Sequence, residues 1–409
     1  MRFVKTIAMI YREVGTCGGI QRGASFQVDQ FRDWGYDPVV LAEKDLGRDA
    51  DRKDKLAAIL RERQVDLVIE HDAYEIAKLS ADIAAARVVG VPIVVFWHSV
   101  FSWMFANGTA NAADVMGVLS KADALITLSP TDEAFFRLLG CRALSIPYCD
   151  ADLMGGFERK GHPHRILWMG RLVGLKRPMD AIRIAERVKA EIPDAELAML
   201  GDGSHDVLRK IESYLEQRPA LRGAVELAGF QKDVRPYLEA SGVGLVTSKF
   251  EGYSHAIVEM KMASMPVVSY AMPYLVTLKD GTGAVQVPQG GVDAAAAEIV
   301  KLFLDGDLCA RLGKAARRSY EGIAAFDQRK AYERLFADLG KPREESSLLA
   351  INPDAATRAM RVLAEHAQMG LATTKERMQR QIMAKESRKG LIGLIGRALI
   401  RVGRHLARP

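Results

Sequence analysis

With 409 residues, 49% of them apolar and 26% charged, the chain is too long for one hydrophobic core and ordinary in composition, which predicts two globular domains and excludes a disordered protein. The net charge of +6 sits almost wholly at the end, where residues 386–409 hold six Lys or Arg against one Glu, so the near-neutral body does not read as a nucleic-acid-binding surface. Cys17, Cys141, Cys149 and Cys309 form no CxxC pair and no metal-ligand spacing, which argues against a disulfide framework or a zinc site and fits a reducing cytoplasm.

In chain order, "MRFVKTIAMIYREVG" has an apolar run too short and too soon followed by charge for a signal peptide or a spanning helix. "TIAMIY" (6–11) is a strand, followed by the glycine turn "GTCGGIQRG" and a helix over "ASFQVDQFRDWG" that stops at Gly35. "DPVVLAE", "VDLVIEH", "VPIVVFWHS" and "ADALITLS" repeat the strand, each trailed by an amphipathic or alanine-rich helix. That rhythm predicts a parallel, doubly wound α/β sheet over residues 1–150. The stretch "IPYCDADLMGGFERKGHPH" (146–164) lacks periodicity and reads as a linker. The rhythm then restarts with "RILWMGRL", "AELAMLGDG", "VELAGF", "GVGLVTS" and "MPVVSY", a second Rossmann-like domain over 165–322. Beyond Gly322 the pattern is continuous helix, with segments at "AAFDQRKAYERLFADLG", "DAATRAMRVLAEHAQMG" and "KERMQRQIMAKES" that extend the helical region to 387. Two such domains leave a cleft, and open α/β sheets bind ligands beyond the carboxyl ends of their strands.

Chemistry is therefore expected in the loops after strands. In "KFEGYSHAIVEMK" (249–261) a helix start follows a core strand, with Ser254 as its cap and its N–H groups and dipole turned to the cleft, a setting that suits a phosphate. Glu251 precedes the helix tip. Glu259 lies on its second turn among Ile257, Val258, Met260 and Met262, where an ionised carboxylate needs donors such as sugar hydroxyls. Either carboxylate alone reads equally well as a solvated side chain; their joint placement favours a site. In "MGRLVGLKRP", Arg171 and Lys176 leave a glycine-bracketed turn after a strand and suit a diphosphate, although exposed charges before a Pro-initiated helix look the same. Gly18 and Gly19 let the backbone approach a ligand, but neither this turn nor "LGDGSHD" has the G-x-G-x-x-G spacing of dinucleotide binders. His98, past a buried strand, can orient a hydroxyl or relay a proton, or simply be hydrogen-bonded at a strand end; His255 at the helix tip is equally open.

Taken in order, the GG turn, "GRLVGLKRP", "LGDGS", "LAGF" and Glu251 with Glu259 eight residues on resemble the retaining nucleotide-sugar glycosyltransferases of two-Rossmann (GT-B) architecture, glycosyltransferase family 4, over roughly residues 1–340. The resemblance implies an acceptor domain at 1–150 and a donor domain at 165–322. It implies that Arg171 and Lys176 hold the donor diphosphate with the amides and side chains around Tyr253, Ser254, His255 and Ala256. Glu259 then takes the ribose hydroxyls, Glu251 faces the donor sugar, Gly18 and Gly19 close over the donor, and His98 stands near the transferred sugar. Residues 323–340 are similar to the helix that crosses back to the first domain. Many relatives carry Phe-Gly after the first glutamate, whereas here Gly252 and Tyr253 follow it, which puts the donor-sugar pocket in question. "MPYLVTLKDGTGAVQVPQ" is similar to bacterial members that build cell-wall, capsule or exopolysaccharide glycans on polyprenyl carriers. No acidic DxD cluster follows a strand, and the arrangement implies no metal and no cofactor beyond the nucleotide sugar, a UDP-sugar first among them.

The end of the chain, 388–409, aligns Leu391, Ile395, Leu399, Val402 and Leu406 opposite Arg397, Arg401, Arg404 and Arg408. Such a helix suits an anionic membrane surface, each cation contributing about 1 kcal/mol, and would hold the protein peripherally on the inner face of the cell membrane. The same stripe could pack on the body or on a second copy of the chain. It lacks the interleaved aromatics of a nucleic-acid binder. Two other function classes share the phosphate grip: a non-hydrolysing sugar-nucleotide epimerase, and an inactive donor-binding scaffold subunit.

Overall fold

The computed structural model describes residues 4–12, 19–47, 51–71, 75–101, 104, 112–148, 164–272 and 274–368. Among the described residues twelve strands fall into two six-stranded sheets. The first contains β1 (Thr6–Tyr11), β2 (Asp37–Ala42), β3 (Leu67–Glu70), β4 (Ile93–Trp97), β5 (Ala124–Thr127) and β6 (Ala143–Ser145). The second contains β7 (Arg165–Met169), β8 (Glu196–Leu200), β9 (Val225–Gly229), β10 (Val243–Val246), β11 (Val267–Tyr270) and β12 (Ala284–Val287). Every pairing is parallel. Helices cover both faces of each sheet, which is why runs such as Ile7 to Ile10 and Ile93 to Trp97 are apolar at consecutive positions and at most 1% exposed.

The strand orders locate the crevices. The first sheet runs β2-β1-β3-β4-β5-β6 and the second β12-β11-β10-β7-β8-β9. The direction of winding reverses between β1 and β3 in the first and between β7 and β10 in the second, and the loops leaving those adjacent strands diverge to open a pocket. The α/β class and the doubly wound sheets follow the expectation from sequence. Two strands escaped it: β6 has only three residues, too few to show a pattern, and β12 stands in a glycine-rich stretch.

The helical region after residue 322 is not continuous. Helix Gly306–Ala324 ends, and Asp327 caps a new helix, Gln328–Leu339, by accepting the Lys330 amide at 2.9 Å. That helix lies on the first domain. The Tyr332 ring is 4.9 Å from Phe31 and 6.0 Å from Trp34, Gln27 donates to the Tyr332 hydroxyl, and Gln328 Nε2 donates to the Pro147 carbonyl at 2.9 Å. A further helix covers 353–368. The expected membrane-surface helix with Arg397, Arg401, Arg404 and Arg408 lies outside the described residues. Among the described residues no helix is long and apolar enough to cross a membrane.

Candidate active site

The loops that follow β7 and β10 meet at the switch point of the second sheet. They are tied together below the surface. Trp168 Nε1 donates to Thr247 Oγ1 at 2.9 Å, the same hydroxyl donates to the Lys176 carbonyl at 2.7 Å, and the Lys249 amide donates to the Leu175 carbonyl at 2.9 Å. This framework brings together two residues singled out from sequence: Lys176 Nζ stands 2.5 and 2.6 Å from the two oxygens of Glu251. Ser248 Oγ donates to the same carboxylate at 2.6 Å, and the Glu251 amide donates to the Tyr274 hydroxyl at 3.1 Å. The carboxylate is buried and charge-compensated, with the ammonium only half-withdrawn from water, so the pair is held in one geometry. Arg171, on the same loop, is exposed and its guanidinium pairs with no described residue.

Close packing at this edge requires two glycines. Gly201 adopts φ +129°, and a Cβ there would lie 2.1 Å from the Gly170 carbonyl oxygen, so the glycine after β8 lets the β7 loop turn toward the cleft. A Cβ on Gly252 would lie 2.6 Å from the His98 carbonyl oxygen. The loop after β10 thus touches the opposite domain at the residue that departs from the Phe-Gly pattern.

Helix His255–Met262 begins at the cleft. Ser254 occupies the position before it, but the expected side-chain cap is absent: at φ +66° the residue is left-handed and its hydroxyl makes no capping bond. The first-turn N–H groups of His255 and Ala256 are therefore not capped by Ser254. Glu259 is 8% exposed on the second turn, which removes the solvated-face reading. Tyr253 is buried and donates through its hydroxyl to the Tyr148 carbonyl, across the two domains.

On the facing wall, Gly19 opens helix Gly19–Asp33, while Gly18 lies outside the described residues. His98 is buried, with Nδ1 2.6 Å from the Tyr148 hydroxyl and Nε2 3.0 Å from His71 Nδ1. Burial, and secondarily the nearby His255, push the His98 imidazole down to about 3, so it is neutral at physiological pH. Burial likewise holds His71 well below its ordinary value. With both ring nitrogens engaged inside the protein, His98 braces Tyr148, whose ring lies 5.0 Å from that of His255 at the helix tip. Sequence reasoning passed over Ser248, Tyr274, His71 and Tyr148. His71 ends a strand just as His98 does, which was an available signal; Tyr148 was hidden in a stretch read as linker. Among the described residues, no group of three or more His, Cys, Asp or Glu side chains is placed to hold a metal ion.

Two doubly wound domains across a crevice, with cations and carboxylates on the strand ends of the second, make the two-domain GT-B architecture of glycosyltransferases. The solved structure of Anabaena HepE in complex with UDP-glucose superposes with a TM-score of 0.66 at 16% identity, over 81% of this chain and 99% of that one. Sucrose-phosphate synthase from Thermosynechococcus elongatus does so at 0.63 and 19% identity, over 81% and 99%. Residues 163–305 match the family described as Glycosyl transferases group 1. Over 169 residues the chain is 31% identical to the lipopolysaccharide core biosynthesis glycosyltransferase LpsE of Rhizobium meliloti, covering 41% of this chain and 46% of the relative. It is 27% identical to the phosphatidyl-myo-inositol mannosyltransferase of Mycolicibacterium smegmatis, over 46% and 49%. The chain thus matches about half the length of these curated relatives.

Proposed function

We propose that the protein is a retaining, metal-independent glycosyltransferase that moves a sugar from a nucleotide-sugar donor, a UDP-sugar first among them, to a glycan or polyprenyl-linked acceptor. It would serve cell-wall, capsule or exopolysaccharide synthesis, peripherally on the inner face of the cell membrane. The observation that carries this reading is the Lys176–Glu251 pair, placed with the unpaired Arg171 beside a helix tip at the switch point of the second sheet.

A diphosphate entering there meets Arg171 and the Lys176 ammonium, and the helix amides add donors to its oxygens. Its negative charge competes with Glu251 for Lys176, which leaves the carboxylate to accept hydroxyls of the donor sugar. Glu259 accepts the ribose hydroxyls. As the bond from the anomeric carbon to the phosphate oxygen breaks, the acceptor oxygen bonds to that carbon on the same face, and its proton passes to the departing phosphate oxygen. The cations stabilise the negative charge that develops on the diphosphate, the role a metal would otherwise fill.

The test is incubation with UDP-, GDP-, dTDP- and ADP-sugars, with and without polyprenyl-linked glycan, in the presence of a chelator. Transfer with the donor's anomeric configuration kept is the expected result. An isomeric sugar nucleotide formed from donor alone would make the protein an epimerase. Donor affinity without turnover on any acceptor would make it a scaffold subunit.

A further inference from the structure

A second cavity, of about 850 Å³, opens between the two domains on the side of the connecting helices. Leu128 after β5, Leu144 of β6 and Pro147 form one wall; Val276, Ile323 and Phe326 form the other, and Tyr253 closes the inner end. Tyr253 belongs to the donor-side loop, so the cavity and the proposed transfer site share a side chain.

Polarity is graded across this space. Leu128, Leu144 and Tyr253 are at most 8% exposed, whereas the charged lining residues Lys279, Asp280, Asp327, Lys330 and Arg334 are all exposed. At this rim Lys279, Lys330 and Arg334 pair with no carboxylate among the described residues. Of the acids, Glu133 is ion-paired with Arg137 at 2.7 Å, and Asp327, which accepts the Lys330 amide at 2.9 Å, keeps its charge, so Asp280 and Asp327 stand against three cations and the mouth has a small positive excess. A volume of this size is in the range that holds a small-molecule ligand. Apolar depth and a cationic mouth select its chemistry.

We propose that this cavity binds an anionic single-chain amphiphile, its hydrocarbon chain between the two apolar walls and its anionic head at Lys279, Lys330 and Arg334. The chain replaces water against Leu128, Leu144, Ile323 and Phe326, and the head neutralises the mouth. Occupation joins the first domain to the connecting helix and reaches Tyr253. This deepens the reading of a lipid-linked acceptor and rests on that reading for its place in the reaction, but the binding itself is independent of it.

The experiment titrates the full chain with dodecyl phosphate below its micellar concentration, by calorimetry, beside octyl phosphate, inorganic phosphate and dodecyl maltoside. Saturable binding to one site is expected, with affinity rising about two- to fourfold per methylene from octyl to dodecyl, and with no binding of inorganic phosphate. Ala331→Trp and, independently, Val276→Trp, which stands at a partly exposed lining position, should each weaken it at least about tenfold. Lys279→Glu with Lys330→Glu should weaken the phosphate amphiphile and spare the maltoside. Binding that survives both tryptophan variants, equal binding of the neutral amphiphile, or none at all would overturn the proposal. UDP titration of the same preparations reads the donor site separately: intact UDP binding beside absent dodecyl phosphate binding defeats only this inference, and the reverse defeats only the donor reading.

Discussion

On the helix that begins at the cleft, two charged side chains two positions apart are both buried, yet they have opposite histories. Glu259 drew notice from its apolar neighbours in sequence. Lys261 did not, because a lysine near a helix end usually extends to water; here it is fully buried, donating to the Thr277 carbonyl and to Ser319 Oγ at 3.3 Å. Burial pushes its amine down to about 7, far below that of a lysine in the unfolded chain. The unfolded state therefore binds a proton between pH 7 and about 10 that the folded state gives up, and stability falls as pH drops through that window. Lys261→Met is expected to raise the melting temperature at pH 7, by roughly 2 °C for each 1 kcal/mol regained, with an advantage that fades toward pH 10. A lower melting temperature across the whole range would show that the two hydrogen bonds outweigh the desolvation. Arg171, Lys176 and Glu251 were more legible, each standing within two residues of a glycine in a short motif after a strand. Their mutual distances were not, because the Lys176–Glu251 contact links positions 75 apart in the chain.

Among the elements, long apolar runs such as β1, β4 and β10 announced themselves, since burial on both faces leaves few polar positions in a parallel strand. The exceptions follow from the same physics. A three-residue strand cannot display a run, and the break at Ala325 before Asp327 depends on one side-chain cap inside an otherwise helical pattern. Ser254 misled for the complementary reason: its residue type favours a cap, and a left-handed turn forced by the loop overrode that preference. The loop from Lys249 to Tyr253 also touches the opposite domain. Gly252→Ala would set a methyl group 2.6 Å from the His98 carbonyl, and flexing of the backbone on either side would widen the crevice. UDP affinity should stay within about threefold while turnover falls by about tenfold or more, since a displacement near 1 Å is costly to a transfer geometry. Steady-state kinetics beside UDP calorimetry checks this; unchanged turnover would show that the two walls need not touch.

At the scale of the whole molecule, each sheet reverses its winding once, and the second reverses where the cations stand. The rhythm of strands and helices revealed two doubly wound units, and the resemblance implied a helix crossing back to the first; neither told which side chains meet there, since Tyr332 finds Gln27 across 305 positions and Gln328 finds Pro147. The account rests on the switch point of the second sheet as a seat for a nucleoside diphosphate. The most direct test is calorimetric titration of UDP and UDP-sugars into the wild-type chain, Arg171→Ala and Lys176→Ala. One saturable site is predicted, weakened about tenfold or more, or roughly 1.4 kcal/mol, by either substitution. Absence of heat from every nucleotide and nucleotide sugar, or equal affinity in all three proteins, would contradict it.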